Sequence, residues 1–134
     1  MYKGHVSAML YVSDLKLSVD YYRDRLGFGF NGYWDHVNER ITDDYEEAGE
    51  PGYASVEVGE SKIGLHVDPD FKPGHNRFEL HVEVEDADKV YEKLSARGVD
   101  ATEPEDQPWG ARMFSVTDPD GHVWDFMEYL EGAE

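Results

Sequence analysis

Two carboxylates and a histidine stand out among the side chains that could do chemistry. Glu79 and His81 lie two residues apart in an expected strand, which turns both to one face, and Asp125 lies in a second expected strand. Glu79 and Asp125 could share acid–base work if their surroundings drove their pKa values apart. By the same period-two geometry His5 shares a face with Ser7, and His66 with Gly64. Imidazole and carboxylate together are ligands for divalent metals. Other chemistries are missing. The chain has no cysteine, which excludes disulfides, thiolate metal sites and cysteine nucleophiles. Ser7, Ser55 and Ser115 carry no sign of a paired base and orienting acid. Gly27-Phe28-Gly29 runs into Phe30-Asn31-Gly32 with no helix to follow, so it builds no phosphate cradle.

A second group is aromatic. Tyr33 and Trp34, beside Asp35, follow the first helical stretch, and Trp109 stands between Pro108 and Gly110 in a loop-like segment. Ring faces offer large contact area at small entropy cost and attract cations.

The elements that must position these residues are written twice. Asp14 and Asp86 each end an alternating run and open a helical one, the place of an N-cap carboxylate. Leu15, Val19, Tyr22 and Leu26 form one apolar stripe; Ala87, Val90, Tyr91 and Leu94 form the other, and glycines 27 and 98 stop them. Matched caps and stops predict two copies of one module, of about residues 1–68 and 77–134, joined by a connector at 69–76. In the first, Asn38 to Gly52 reads as a long, acidic, mobile loop or excursion between strands, and Tyr53–Val58 with Lys62–Val67 as a hairpin turned at Gly59-Glu60. In the second, strands are expected over 78–84, 111–117 and 122–129, with helix 87–97 after the first and the Asp118-Pro119-Asp120-Gly121 turn between the last two.

The chain has 134 residues, and its 40% hydrophobic content can fill one shared core. Thirty acidic residues against 12 basic ones give a net charge of −18. Such a field repels nucleic acid and attracts small cations; it serves equally as a solvated surface for solubility or a saline environment. No segment approaches the roughly 20 apolar residues of a membrane span, and Met1-Tyr2-Lys3-Gly4-His5 lacks the plan of a signal peptide, so a cytoplasmic location is expected.

Val12-Ser13-Asp14, Tyr21-Tyr22-Arg23-Asp24-Arg25-Leu26-Gly27-Phe28 and Asp118-Pro119-Asp120-Gly121 together resemble the vicinal oxygen chelate superfamily of glyoxalases, bleomycin-resistance proteins and extradiol dioxygenases. Asp24-Arg25-Leu26-Gly27-Phe28 and Gln107-Pro108-Trp109-Gly110, leading through Phe114 into Asp118-Pro119, are similar to the bleomycin-binding branch. The resemblance implies an α+β fold of two tandem βαβββ modules, their mixed sheets curled round a cleft, in a homodimer. Exchange of the first strand in that branch is helped by a proline, which Ser7-Ala8-Met9-Leu10 lacks. The superfamily's metal-ligand positions fall on Ser7, Gly64, Glu79 and Asp125, of which only the last two are carboxylates. The implied function is sequestration of a cationic bleomycin-type glycopeptide without catalysis or cofactor, with Tyr33, Trp34, Asp35, Glu79, His81, Trp109 and Asp125 around the ligand. The alternative is a metal-dependent lyase, isomerase or thiol transferase, whose divalent ion would draw ligands from His5, His66, Glu79, His81 and Asp125.

Overall fold

The computed structural model describes residues 1, 3, 7–72 and 79–130. Residues 1–72 and 73–134 form two compact units.

In unit 1, strand β1 (Ala8–Val12) leads into helix α1 (Leu15–Asp20). Asp14 is the predicted cap, its Oδ1 accepting from the Leu17 amide at 3.0 Å. The stripe of Leu15, Val19, Tyr22 and Leu26 is buried as expected, but the helix does not run evenly to its end. Residues Tyr21–Arg25 widen into a π turn, in which the Leu26 amide donates to the Tyr21 carbonyl. The wider turn seats the sealed Tyr22 ring parallel to Phe28, centroids 5.8 Å apart.

Then come β2 (Gly29–Asp35), β3 (Arg40–Thr42), a 3-10 turn at Tyr45–Glu47, β4 (Tyr53–Val58) and β5 (Ser61–Val67). They make one sheet in the order β1-β5-β4-β2-β3, with β1 parallel to β5 and the remaining pairs antiparallel. The β4–β5 hairpin turns at Gly59, as the sequence predicts. The expected acidic loop, by contrast, contains the strand β3, hydrogen-bonded along β2. The β2–β4 register shifts between Phe30 and Tyr33. Gly32 stands there at φ +103°, and a Cβ on it would lie 2.4 Å from Ile41 Cγ2, so the position needs glycine twice over.

Unit 2 repeats the plan. Strand β6 (Glu79–Glu83), helix α2 (Ala87–Ala96), β7 (Glu105–Gln107), β8 (Ala111–Thr117) and β9 (Val123–Tyr129) make a sheet ordered β6-β9-β8-β7. Again the first strand runs parallel to the last, which is the topological mark of the duplication. Asp86 caps α2 through the Lys89 amide at 3.1 Å, and Gly98 at φ +80° follows the helix end. One face of each sheet is buried, carrying Leu10, Val12, Ala54, Val56 and Leu65 in unit 1 and Phe114, Val116, Trp124 and Phe126 in unit 2, while β5 and β9 also bury Gly64, Asp125 and Met127 of the other face. Tyr91 of α2 meets Phe114 edge-on at 5.7 Å, and Phe114 stacks on Phe126 at 5.0 Å.

Candidate functional site

On the open face of unit 2, strand register assembles three of the predicted residues. The β6–β9 pairing sets His81 opposite Asp125, and the β8–β9 pairing sets Ser115 opposite it from the other side. Asp125 is buried at 3% exposure, where a bare carboxylate would be costly, and its neighbours supply the compensation. Ser115 Oγ donates to Oδ1 at 2.6 Å, and His81 Nε2 lies 3.2 Å from Oδ2. Glu79 Oε2 reaches the same imidazole nitrogen at 3.5 Å. Glu79 and His81 are exposed, so the cluster is a buried carboxylate fronted by an exposed imidazole and an exposed carboxylate. Ligand atoms of Glu79, His81 and Asp125 lie within 4.8 Å of one another. Such a set can receive a cationic group, or hold a hard divalent ion with positions left open.

The resemblance points to Glu79 and Asp125, and the two-residue spacing on a strand adds His81 to the face of Glu79. Neither finds Ser115, whose role depends on β8 lying in register with β9.

Trp109 occupies the expected loop: it sits in the tight turn between β7 and β8, closed by the Gly110 amide on the Gln107 carbonyl at 3.1 Å, and is 50% exposed. Trp34 is half-buried on β2, opposite Ile41 of β3.

Tyr33 and Asp35 are both buried within unit 1. They alternate with Trp34 along β2 and point the other way, into the interior of unit 1. Tyr33, 2% exposed, meets Phe30 and Tyr45 edge-on at 5.0 and 5.3 Å, and burial pushes its phenol up to about 12. Asp35 is fully buried and its carboxylate closes the chain that follows. Oδ1 accepts from the Val37 and Asn38 amides at 3.1 and 2.9 Å; Oδ2 accepts from Asn38 Nδ2 at 2.9 Å and Arg40 Nε at 3.0 Å. The Asn38 side chain and amide, with Arg40 and the Gly49 amide, hold this carboxyl far below the usual carboxylate range.

Of the metal candidates, His66 is not part of the cluster: it is exposed on β5 of unit 1, with Nδ1 2.8 Å from the Val67 carbonyl oxygen and its ring against Tyr11. His5 lies outside the described residues. In unit 1 the positions matching His81, Asp125 and Ser115 are Met9, Gly64 and Ser55, paired in the same register, so no imidazole or carboxylate stands at them.

Comparison with known proteins agrees with this fold. A sequence model of the glyoxalase/bleomycin resistance protein/dioxygenase superfamily matches residues 4–126. The uncharacterized protein YraH of Bacillus subtilis (strain 168) is 31% identical over 127 residues, covering 90% of this chain and 94% of its own. Among solved structures, TnmS3, an antibiotic binding protein from Streptomyces sp. CB03234, superposes with a TM-score of 0.70 at 26% identity over 96% of this chain and 98% of that one. A bleomycin-binding protein complexed with bleomycin superposes with a TM-score of 0.68 at 20% identity, over 94% and 98% of the two chains.

Proposed function

The chain belongs to the glyoxalase/bleomycin resistance protein/dioxygenase superfamily, and from that membership we propose that it binds and sequesters a cationic, flat-ringed antibiotic of the bleomycin type without altering it. The observation that carries this reading is the open face of unit 2, where Glu79 and His81 front the buried Asp125 in a chain of net charge −18. The carboxylates meet the cationic part of the ligand, and the acidic field speeds its arrival. Trp109, half exposed, stacks on its rings. The antibiotic-binding TnmS3 at 26% identity supports the ligand class, and the bleomycin complex supports the fold's suitability for it. The proposal includes a homodimer acting in the cytoplasm, the second copy covering sheet edges that would otherwise stay open.

Isothermal titration of metal-stripped protein with metal-free bleomycin, at low and high salt, tests it. About one drug per chain, bound more weakly as salt rises, is expected. Trp109→Ala should weaken binding by about 1–3 kcal/mol, and light scattering should give about twice the 15.3 kDa chain mass. No heat at either salt overturns the ligand assignment.

A second reading is favoured by one observation, the convergence of Glu79, His81 and Asp125. These three would hold a divalent cation, which would supply Lewis-acid polarisation of a substrate oxygen to a lyase, isomerase or transferase. Gly64 and Ser7 offer no carboxylate or imidazole, so among the described residues ligation would rest on unit 2. About one equivalent of metal surviving purification without an affinity tag, and lost in Asp125→Ala, would move the assignment here.

A further inference from the structure

The open face of unit 1 carries the counterpart of the acidic cluster with its polarity reversed. A pocket of about 280 Å³ opens there, lined by Ser7, Ala8, Met9, Tyr53, Ser55, Lys62 and Gly64. The register makes this the equivalent place: Met9, Gly64 and Ser55 stand abreast on β1, β5 and β4, as His81, Asp125 and Ser115 do on β6, β9 and β8. Where unit 2 presents carboxylates, no residue of this lining is acidic. Its polar groups are the Lys62 ammonium and the hydroxyls of Ser7, Tyr53 and Ser55.

Three further details fix the character of the pocket. The missing side chain at Gly64 is replaced by a ring: a Cβ there would meet Tyr53 Cε2 at 3.1 Å, its hydroxyl at 3.2 Å and Met9 Cε at 3.4 Å. The phenol oxygen therefore stands over the position that holds a carboxylate in unit 2. Ser55 Oγ accepts from Asn31 Nδ2 at 2.9 Å, which occupies a lone pair and leaves the hydroxyl hydrogen to donate. Glu57, the cross-strand neighbour of Lys62, is turned away, with Oε2 3.4 Å from where a Gly29 Cβ would stand, and none of the ion pairs among the described residues uses Lys62.

We infer that this pocket binds the carboxylate of a small organic acid, seating its oxygens among Lys62, Tyr53 and Ser55 and its apolar body against Met9, Ala8 and the Tyr53 ring. The lining is rich in donors and holds one cation, which suits a monoanionic acceptor. Methyl, thioether and ring surfaces favour a carboxylate on an apolar carrier over bare inorganic phosphate. The lining shares no residue with the unit 2 cluster or with Trp109, although Ser7 and Gly64 stand at two of the superfamily's four ligand positions, and its test uses a different probe, so this inference and the antibiotic proposal can fail separately.

The test is amide chemical-shift titration of the full chain with benzoate and with neutral benzamide. Benzoate should give saturable shifts at Met9, Ser55, Lys62 and Gly64, and benzamide should bind about five-fold or more weakly. Lys62→Met keeps most of the aliphatic stem at an exposed position, and it should weaken benzoate by about five-fold or more while leaving benzamide unchanged. Tyr53→Phe, which removes only the hydroxyl, should weaken benzoate by about two- to five-fold. Equal responses to benzoate and benzamide, benzoate binding indifferent to Lys62→Met, or no shift at these amides would each overturn the inference.

Discussion

At the scale of the residue, the same side chain type does opposite work depending on what encloses it. Asp125 is buried yet fronted by an exposed imidazole, so it remains part of a face that a ligand can reach. Asp35 is buried with both oxygens engaged by its own chain, so it is structural. His81 is legible because it stands two residues from Glu79 on one strand, and Asp125 because the resemblance marks its position. Tyr33 and Asp35 enter only through the resemblance, and no local pattern shows that β2 buries both in unit 1. Nor does any local pattern announce that Asn38, Arg40 and Gly49 will converge on one carboxylate. The lock has a pH signature. A carboxyl held below its ordinary value stabilises the fold above the unfolded pKa of about 3.9 and loses that contribution as pH falls towards the folded value. Asp35→Asn should therefore lower the thermal midpoint at pH 7, and the gap from the parent should narrow steadily below about pH 5. A gap that stays constant from pH 7 to pH 2 would show that the charge on Asp35 contributes nothing.

At the scale of the element, what is readable is what is local. Caps, stripes and glycine stops lie within a few residues of one another, and α1, α2 and the β4–β5 hairpin stand where they predict. Strands β3 and β7 have three residues each; what makes them strands is the partner beside them, which no short window contains. The π turn is hidden for a different reason. An apolar stripe reports which side of a helix is buried, and a single widened turn leaves Tyr22 and Leu26 on that side. The duplicated caps make a quantitative statement: Asp14→Ala and Asp86→Ala should each cost about 1 kcal/mol in urea unfolding. The two losses should be similar, because each carboxylate satisfies one amide in the first turn, Leu17 at 3.0 Å and Lys89 at 3.1 Å. A change under about 0.3 kcal/mol in either would mean that water replaces that cap without loss.

At the scale of the whole molecule, charge sets the conditions under which everything else operates. Thirty acidic residues repel one another in the folded chain, and a net charge of −18 opposes compaction unless counterions screen it. Raising sodium chloride from about 20 mM to about 500 mM should therefore lift the thermal midpoint by about 3–6 °C, worth about 1 kcal/mol in a chain of this size. A midpoint that stays flat or falls would show that exposed ion pairs such as Lys16 with Asp20 outweigh the repulsion. The same salt weakens capture of a cation, so stability and binding should move in opposite directions across one series. The graded burial of the tryptophans lets both be followed optically without a label. Trp124 is sealed at 1% exposure, Trp34 is half-covered, and Trp109 is open at 50%. Their emission should spread from blue to red in that order, and a neutral quencher such as acrylamide should extinguish the red edge first. Iodide, an anion, should be turned away by the chain's own charge. A ring stacked on Trp109 would shield that red edge, whereas a ligand bound elsewhere would leave it quenchable.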